Sequence, residues 1–114
     1  MSPDEETEIR LAMAAEQALS AAYFGPIPDF LAVMPVHYHD TNNEDLNREY
    51  AAYEGRHAYV TAFERPDGSF TIELTTEGAS VTHTPDSARQ AAAEILEAVE
   101  VYERLSAQIE REVR

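Results

Sequence analysis

Tyr59-Val60-Thr61-Ala62-Phe63-Glu64-Arg65-Pro66-Asp67-Gly68-Ser69-Phe70-Thr71-Ile72-Glu73-Leu74-Thr75 decides the fold. Side chains alternate in character on both sides of Pro66-Asp67-Gly68, the period-two pattern of a half-buried strand. Proline, then aspartate, then glycine fits a type I turn closed by a left-handed glycine. A three-residue loop sets the register: Arg65 opposite Ser69, Ala62 opposite Ile72, Val60 opposite Leu74. One face of the hairpin then carries Ala58, Val60, Ala62, Phe70, Ile72 and Leu74. The other carries His57, Tyr59, Thr61, Phe63, Thr71, Glu73 and Thr75.

Working outward, Gly78 ends this unit, and Ala79-Ser80-Val81-Thr82-His83 reads as a third strand. A fourth, from Glu49 to Tyr53, precedes the hairpin, with Gly55 as a bend. Thr84-Pro85-Asp86-Ser87 is a helix start, and the following pattern predicts a helix over 85–112. Its apolar stripe holds Ala88, Ala91, Ala92, Ile95, Ala98, Val99, Tyr102, Leu105, Ile109 and Val113. Such a helix is roughly 40 Å long, whereas the strands span roughly 20–27 Å. It must overhang the sheet, and Tyr102, Leu105 and Ile109 need another cover. Their spacings of 3 and 4 suit a helix pair, so a homodimer through these three residues is expected.

At the other end Ser2-Pro3-Asp4-Glu5 caps a helix over 3–23. The stripe Ala12, Ala15, Leu19, Ala22 and Tyr23 is expected to face the core, and Gly25-Pro26 stops the helix. Residues 25–48 are broken by Pro26, Pro28 and Pro35. Phe30-Leu31-Ala32-Val33-Met34 is too apolar to lie free in water and is expected as a short strand or one helical turn. The fold class is therefore α+β: a two-layer sandwich of a three- or four-stranded antiparallel sheet with N- and C-terminal helices on one face. Residues 1–114 are read as one domain.

Charge bounds the function. The chain has no lysine; its 8 basic residues are arginines, against 22 Asp and Glu, for a formal net charge of -14. Phosphate backbones are bound by basic side chains, so direct nucleic-acid contact is excluded, as is attraction to an anionic membrane. No cysteine is present, so neither a disulfide framework nor a thiol nucleophile exists. The acidic N-terminus does not read as a signal peptide, no apolar run is long enough to span a membrane, and a cytoplasmic location is expected.

No nucleophile–base pattern or phosphate-binding loop stands out, and no cofactor is expected. His37-x-His39 is the one ligand-like pair; on a strand both imidazoles point the same way, and His57 or His83 would supply a third metal ligand. Two surfaces suit a protein partner with a basic surface. One is the acid face of the C-terminal helix, Glu94, Glu97, Glu100 and Glu103, an array able to imitate nucleic-acid phosphate. The other is the outer sheet face with Tyr59 and Phe63, unless residues 26–36 fold over it. The reading that results is a non-enzymatic acidic protein that binds another protein, as an inhibitor, immunity protein or nucleic-acid mimic does. The alternative is a small-ligand or metal-binding protein using the His- and Tyr-bearing segment 37–59.

Overall fold

A computed structural model describes residues 2–38, 45–78 and 81–113. The chain runs α1 (Pro3–Phe24), a 3-10 turn (Asp29–Leu31), β1 (Val36–Tyr38), β2 (Arg48–Glu54), β3 (Ala58–Glu64), β4 (Phe70–Thr76) and α2 (Pro85–Val113). The strands form one antiparallel meander in the order β1-β2-β3-β4.

The hairpin keeps the expected register, with Ala62 opposite Ile72 and Val60 opposite Leu74. Arg65 N donates to Ser69 O at 2.9 Å, Gly68 N donates to Arg65 O at 2.9 Å, and Gly68 sits at φ 86°. Only glycine takes that left-handed conformation without strain. Asp67 Oδ1 accepts from Ser69 N at 2.9 Å and from Ser69 Oγ at 2.6 Å. These bonds hold its carboxyl below the ordinary aspartate range.

The sheet face that α2 covers is also the expected one. Val60 and Ala62 are fully buried, Ala58 nearly so, and they pack with Ala98 and Leu105 of α2. A bulge between Ala51 and Tyr53 turns both Ala52 and Tyr53 toward this side, where both meet the core.

Three expectations are corrected. The first concerns the strand at 79–83. Residues 79 and 80 lie outside the described residues, and 81–84 carry no strand. The fourth strand is β1, from the segment read as irregular. Val36 pairs with Tyr50, and Ala51 N donates to Pro35 O at 2.9 Å. Proline is tolerated there because β1 is an edge strand, where a missing N–H breaks no ladder bond.

The second correction is to α1. Ala12, Ala15, Leu19, Ala22 and Tyr23 are all exposed, and Ser20 is the one buried residue of the helix. The packed face holds Met13, Gln17, Ser20, Ala21 and Phe24 instead. Gln17 Nε2 donates to Ala32 O at 2.7 Å, and Ser20 is fully buried with its hydroxyl donating to Gln17 O at 3.0 Å. The helix lies across the β1 edge: Tyr23 stacks on Tyr38 with ring centroids 5.8 Å apart, on the side α2 covers, while Glu16 lies 3.6 Å from His37 on the other.

The third concerns Leu105 and Ile109, which find their cover within the chain. Leu31, fully buried, joins Val36, Tyr50, Ala62 and Leu105 in one cluster, with Ile27, Phe30, Met34, Phe70 and Ile109 around it. The 3-10 turn thus tucks under the overhanging half of α2. Leu105, at 2 % exposure, is not a surface residue, while Tyr102 remains exposed at 37 %. Because Phe30, Leu31 and Met34 lie on this side, they do not cover the outer sheet face.

Candidate functional site

Two features outside the core carry chemistry. The first is the outer sheet face. Pairing of His37 with Glu49, of Glu49 with Phe63, and of Glu54 with Tyr59 brings these residues onto it, with Ala51, Thr61 and Glu73 between. A concavity of about 520 Å³ is lined there by Pro35, His37, Glu49, Ala51, Glu54 and Tyr59, among others. Tyr59 is 48 % exposed and Phe63 half-buried. The floor is apolar and aromatic, and the acids Glu49, Glu54 and Glu73 stand on the same face. Such a surface accepts an aliphatic stem and a cationic head together.

The second feature lies at the end of the sheet where β2 turns into β3, β4 leaves the sheet and α2 begins. Gly55 makes the turn: Gly55 N donates to Ala58 O at 2.8 Å, and a Cβ at this position would stand 2.9 Å from that oxygen. The turn tucks His57 inward to 9 % exposure. Its backbone N–H donates to Glu94 Oε2 of α2 at 2.6 Å, and its Nδ1 meets Glu77 Oε1. Glu77 follows β4 and donates its backbone N–H to His57 O at 3.2 Å. Its other oxygen meets His83 Nε2 at 2.9 Å, and His83 Nδ1 meets Ser87 Oγ of α2 at 3.0 Å. The two imidazole rings are edge to face, with centroids 5.4 Å apart. The hydrogen bond from His57, reinforced by the charges of His57 and His83, holds the Glu77 carboxyl below the ordinary glutamate range despite the opposing effect of burial.

The residues expected at sites are distributed as follows. His37 is exposed beside Glu16, His39 lies outside the described residues, and His57 and His83 come together with Glu77 rather than with His37. On α2 the four glutamates are not one free array. Glu94 serves the His57 backbone, and Glu97 accepts from Tyr53 Oη at 2.8 Å, while Glu100 and Glu103 are exposed. The carboxylate of Glu97 pushes the Tyr53 phenol up to about 12. Glu77 went unread because it is one acid among 22, and only the fold shows that it stands between two histidines.

No helix among the described residues is long and apolar enough to cross a membrane. No family model, no curated protein and no solved structure matches the chain.

Proposed function

We propose that this chain is a non-enzymatic protein-binding module whose outer sheet face receives a basic segment of a partner protein. The observation that carries the reading is the concavity around Tyr59, open on the side of the sheet opposite α2 and bordered by Glu49 and Glu54. Exposed aromatic surface is typical of interface anchors. Carboxylates at its border select a cationic partner, and the net charge of -14 attracts that partner from a distance. Occluding a basic surface is the action of an inhibitor, immunity protein or nucleic-acid mimic, and in a cysteine-free chain it suits the cytoplasm. Glu100 and Glu103 add to the long-range attraction. Self-association belongs to the same reading, now through the exposed apolar stripe of α1 rather than through Leu105.

The test is an NMR titration with short peptides carrying arginine and leucine. Amide shifts centred on Ala51, Tyr59 and Thr61, weakening with salt, support the reading. Shifts confined to α2 move the site to Glu100 and Glu103, and peptides that shift nothing overturn it.

A further inference from the structure

His57, Glu77 and His83 come from three separate segments, yet one ligand atom of each lies within 4.8 Å of the other two. The three are partly or fully withdrawn from solvent, at 9 %, 25 % and 22 % side-chain exposure. This is neither a run of surface acids nor a neighbouring pair on one strand. It is a mixed set of two imidazoles and a carboxylate, assembled by the tertiary fold at one end of the sheet.

The surroundings of His83 support the set. Ser87 Oγ of α2 lies 3.0 Å from His83 Nδ1, accepts from Thr84 N at 3.0 Å and lies 3.2 Å from Thr84 O. The ring is thus held from its far nitrogen while Nε2 faces the Glu77 carboxylate at 2.9 Å. A hydroxyl that donates to Thr84 O is free to accept from His83 Nδ1, which leaves Nε2 as the ligand atom. Such a bond to the far ring nitrogen is the usual outer support of a metal-bound histidine, fixing ring orientation.

We propose that His57 Nδ1, the Glu77 carboxylate and His83 Nε2 form a binding site for a divalent transition-metal ion of the zinc class. Two imidazoles with one carboxylate suit zinc, cobalt or nickel and not calcium or magnesium, which take all-oxygen sets. Zinc held at about 2.0–2.1 Å in tetrahedral geometry needs ligand atoms roughly 3.3 Å apart. The three ligand atoms all lie within 4.8 Å of one another, a spread that brackets this separation. Three protein ligands leave the fourth position to water. The ion joins the β2–β3 turn, the end of β4 and the start of α2, so its first effect is to fasten the helix to the sheet. His37, exposed beside Glu16, takes no part.

The experiment uses the full chain, first stripped with a chelator. Cobalt(II) is titrated in while the visible d–d absorption is followed, and zinc binding is measured by displacement of the cobalt. One equivalent of cobalt with the intense bands of a tetrahedral site is expected, together with a zinc-dependent rise in melting temperature. Calcium and magnesium at the same concentration leave both unchanged. Glu77→Gln and His83→Asn each weaken cobalt binding at least roughly tenfold, whereas His37→Ala combined with His39→Ala leaves it intact. Circular dichroism of each variant shows whether it is folded. Glu77→Gln keeps a hydrogen-bond acceptor for His57, so it reads the metal ligand apart from the fold. Absence of the bands at tens of micromolar protein and metal overturns the proposal. So does cobalt binding that survives both Glu77→Gln and His83→Asn, or that is lost with His37 and His39.

Discussion

Arg48 and Glu64 face each other across β2 and β3 and form a two-pronged ion pair inside the sheet's covered face: Arg48 Nε reaches Glu64 Oε1, and Nη2 reaches Oε2 at 3.0 Å. Arg48 is 1 % exposed, and its remaining Nη1 donates to Gly25 O at 2.7 Å, beyond the end of α1. The pair thus ties α1 to the sheet. Burial together with the charge of Glu64 also holds the neighbouring Tyr50 phenol well above its usual range.

Removing one partner of such a pair leaves the other charge buried and uncompensated. Arg48→Ala is expected to cost about 3–5 kcal/mol and to loosen α1, seen as lost amide protection in hydrogen exchange around Tyr23 and Gly25. A paired change, Arg48→Met with Glu64→Leu, removes both charges and is expected to recover most of the loss. Denaturant unfolding of the single and double variants checks this, and a double variant less stable than Arg48→Ala contradicts it.

The overhang of α2 gives a second expectation. Leu31 and Leu105 are buried against each other's cluster, so truncation of either removes transfer energy and opens a cavity. Leu31→Ala and Leu105→Ala should each cost about 2–5 kcal/mol, and an exposed change such as Leu96→Ala no more than about 0.5 kcal/mol. Because the two sites share one cluster, the double variant should lose less or more than the sum. Strict additivity would show that the 3-10 turn does not cover α2.

What the sequence makes legible follows the range of the forces involved. The hairpin register and the start of each helix rest on local chemistry, on Asp67-Gly68 and on Ser2-Pro3, and they stand as read. The C-terminal stripe is strong enough to place Ala98 against the sheet, whereas Leu105, expected at a seam between two copies, is buried under Leu31 of its own chain. The stripe on α1 misled because its apolar residues are mostly alanines, which bury little area. The helix instead turns inward the face that carries Gln17, bonded to Ala32 O, and the buried Ser20. Similarly, 36–38 and 79–83 each have one short apolar stretch, and local pattern cannot say which one completes the sheet. The ion pair of Arg48 with Glu64, and Glu77 between two histidines, are products of pairing distant segments. In a chain with 22 acids no single glutamate announces such a partner.

Tyr53 provides a pH-dependent reporter for contact between α2 and the sheet. Its neutral hydroxyl donates to Glu97, so the folded-state value is raised from 10.0 to about 12. A group raised on folding contributes stability that is complete below its unfolded value and lost as pH rises through the folded one. The Tyr53 contribution should therefore be intact up to about pH 10 and fade toward about pH 12. Ultraviolet titration should show two late-ionising tyrosines, Tyr50 and Tyr53, of which only Tyr53 shifts back toward 10 in Glu97→Ala. A parent titration identical to that of Glu97→Ala would remove the contact.

The apolar stripe of α1 should make the chain associate with itself. Leu11, Leu19 and Tyr23 are 64 %, 49 % and 60 % exposed, and with Ala12, Ala15 and Ala22 they form one continuous helix face. Leu19→Glu should shift sedimentation toward monomer while leaving the circular dichroism spectrum intact, since the residue contributes nothing to the core. A parent protein that is monomeric at tens of micromolar would leave this stripe without a role in assembly.

The last expectation separates the two acidic surfaces. Glu94 and Glu97 serve as acceptors for the His57 backbone and for Tyr53, so removing them tests the fold as much as any partner. Glu100 and Glu103 are exposed, and glutamine there changes charge alone. On the sheet, Glu49→Gln with Glu54→Gln removes the same two charges from the border of the concavity, and Tyr59→Ala removes its aromatic anchor. Both double changes move the net charge from -14 to -12. A partner steered only by overall charge should therefore respond to them equally, through a slower association rate. A partner seated on the sheet should in addition dissociate faster from Glu49→Gln/Glu54→Gln, and faster still from Tyr59→Ala, because lost contacts appear mainly in the dissociation rate. Added salt should slow association of every form but leave the Tyr59→Ala dissociation rate largely unchanged. Equal dissociation rates for the parent and Tyr59→Ala would take the binding site off the sheet face and leave Glu100 and Glu103 as the acids that matter.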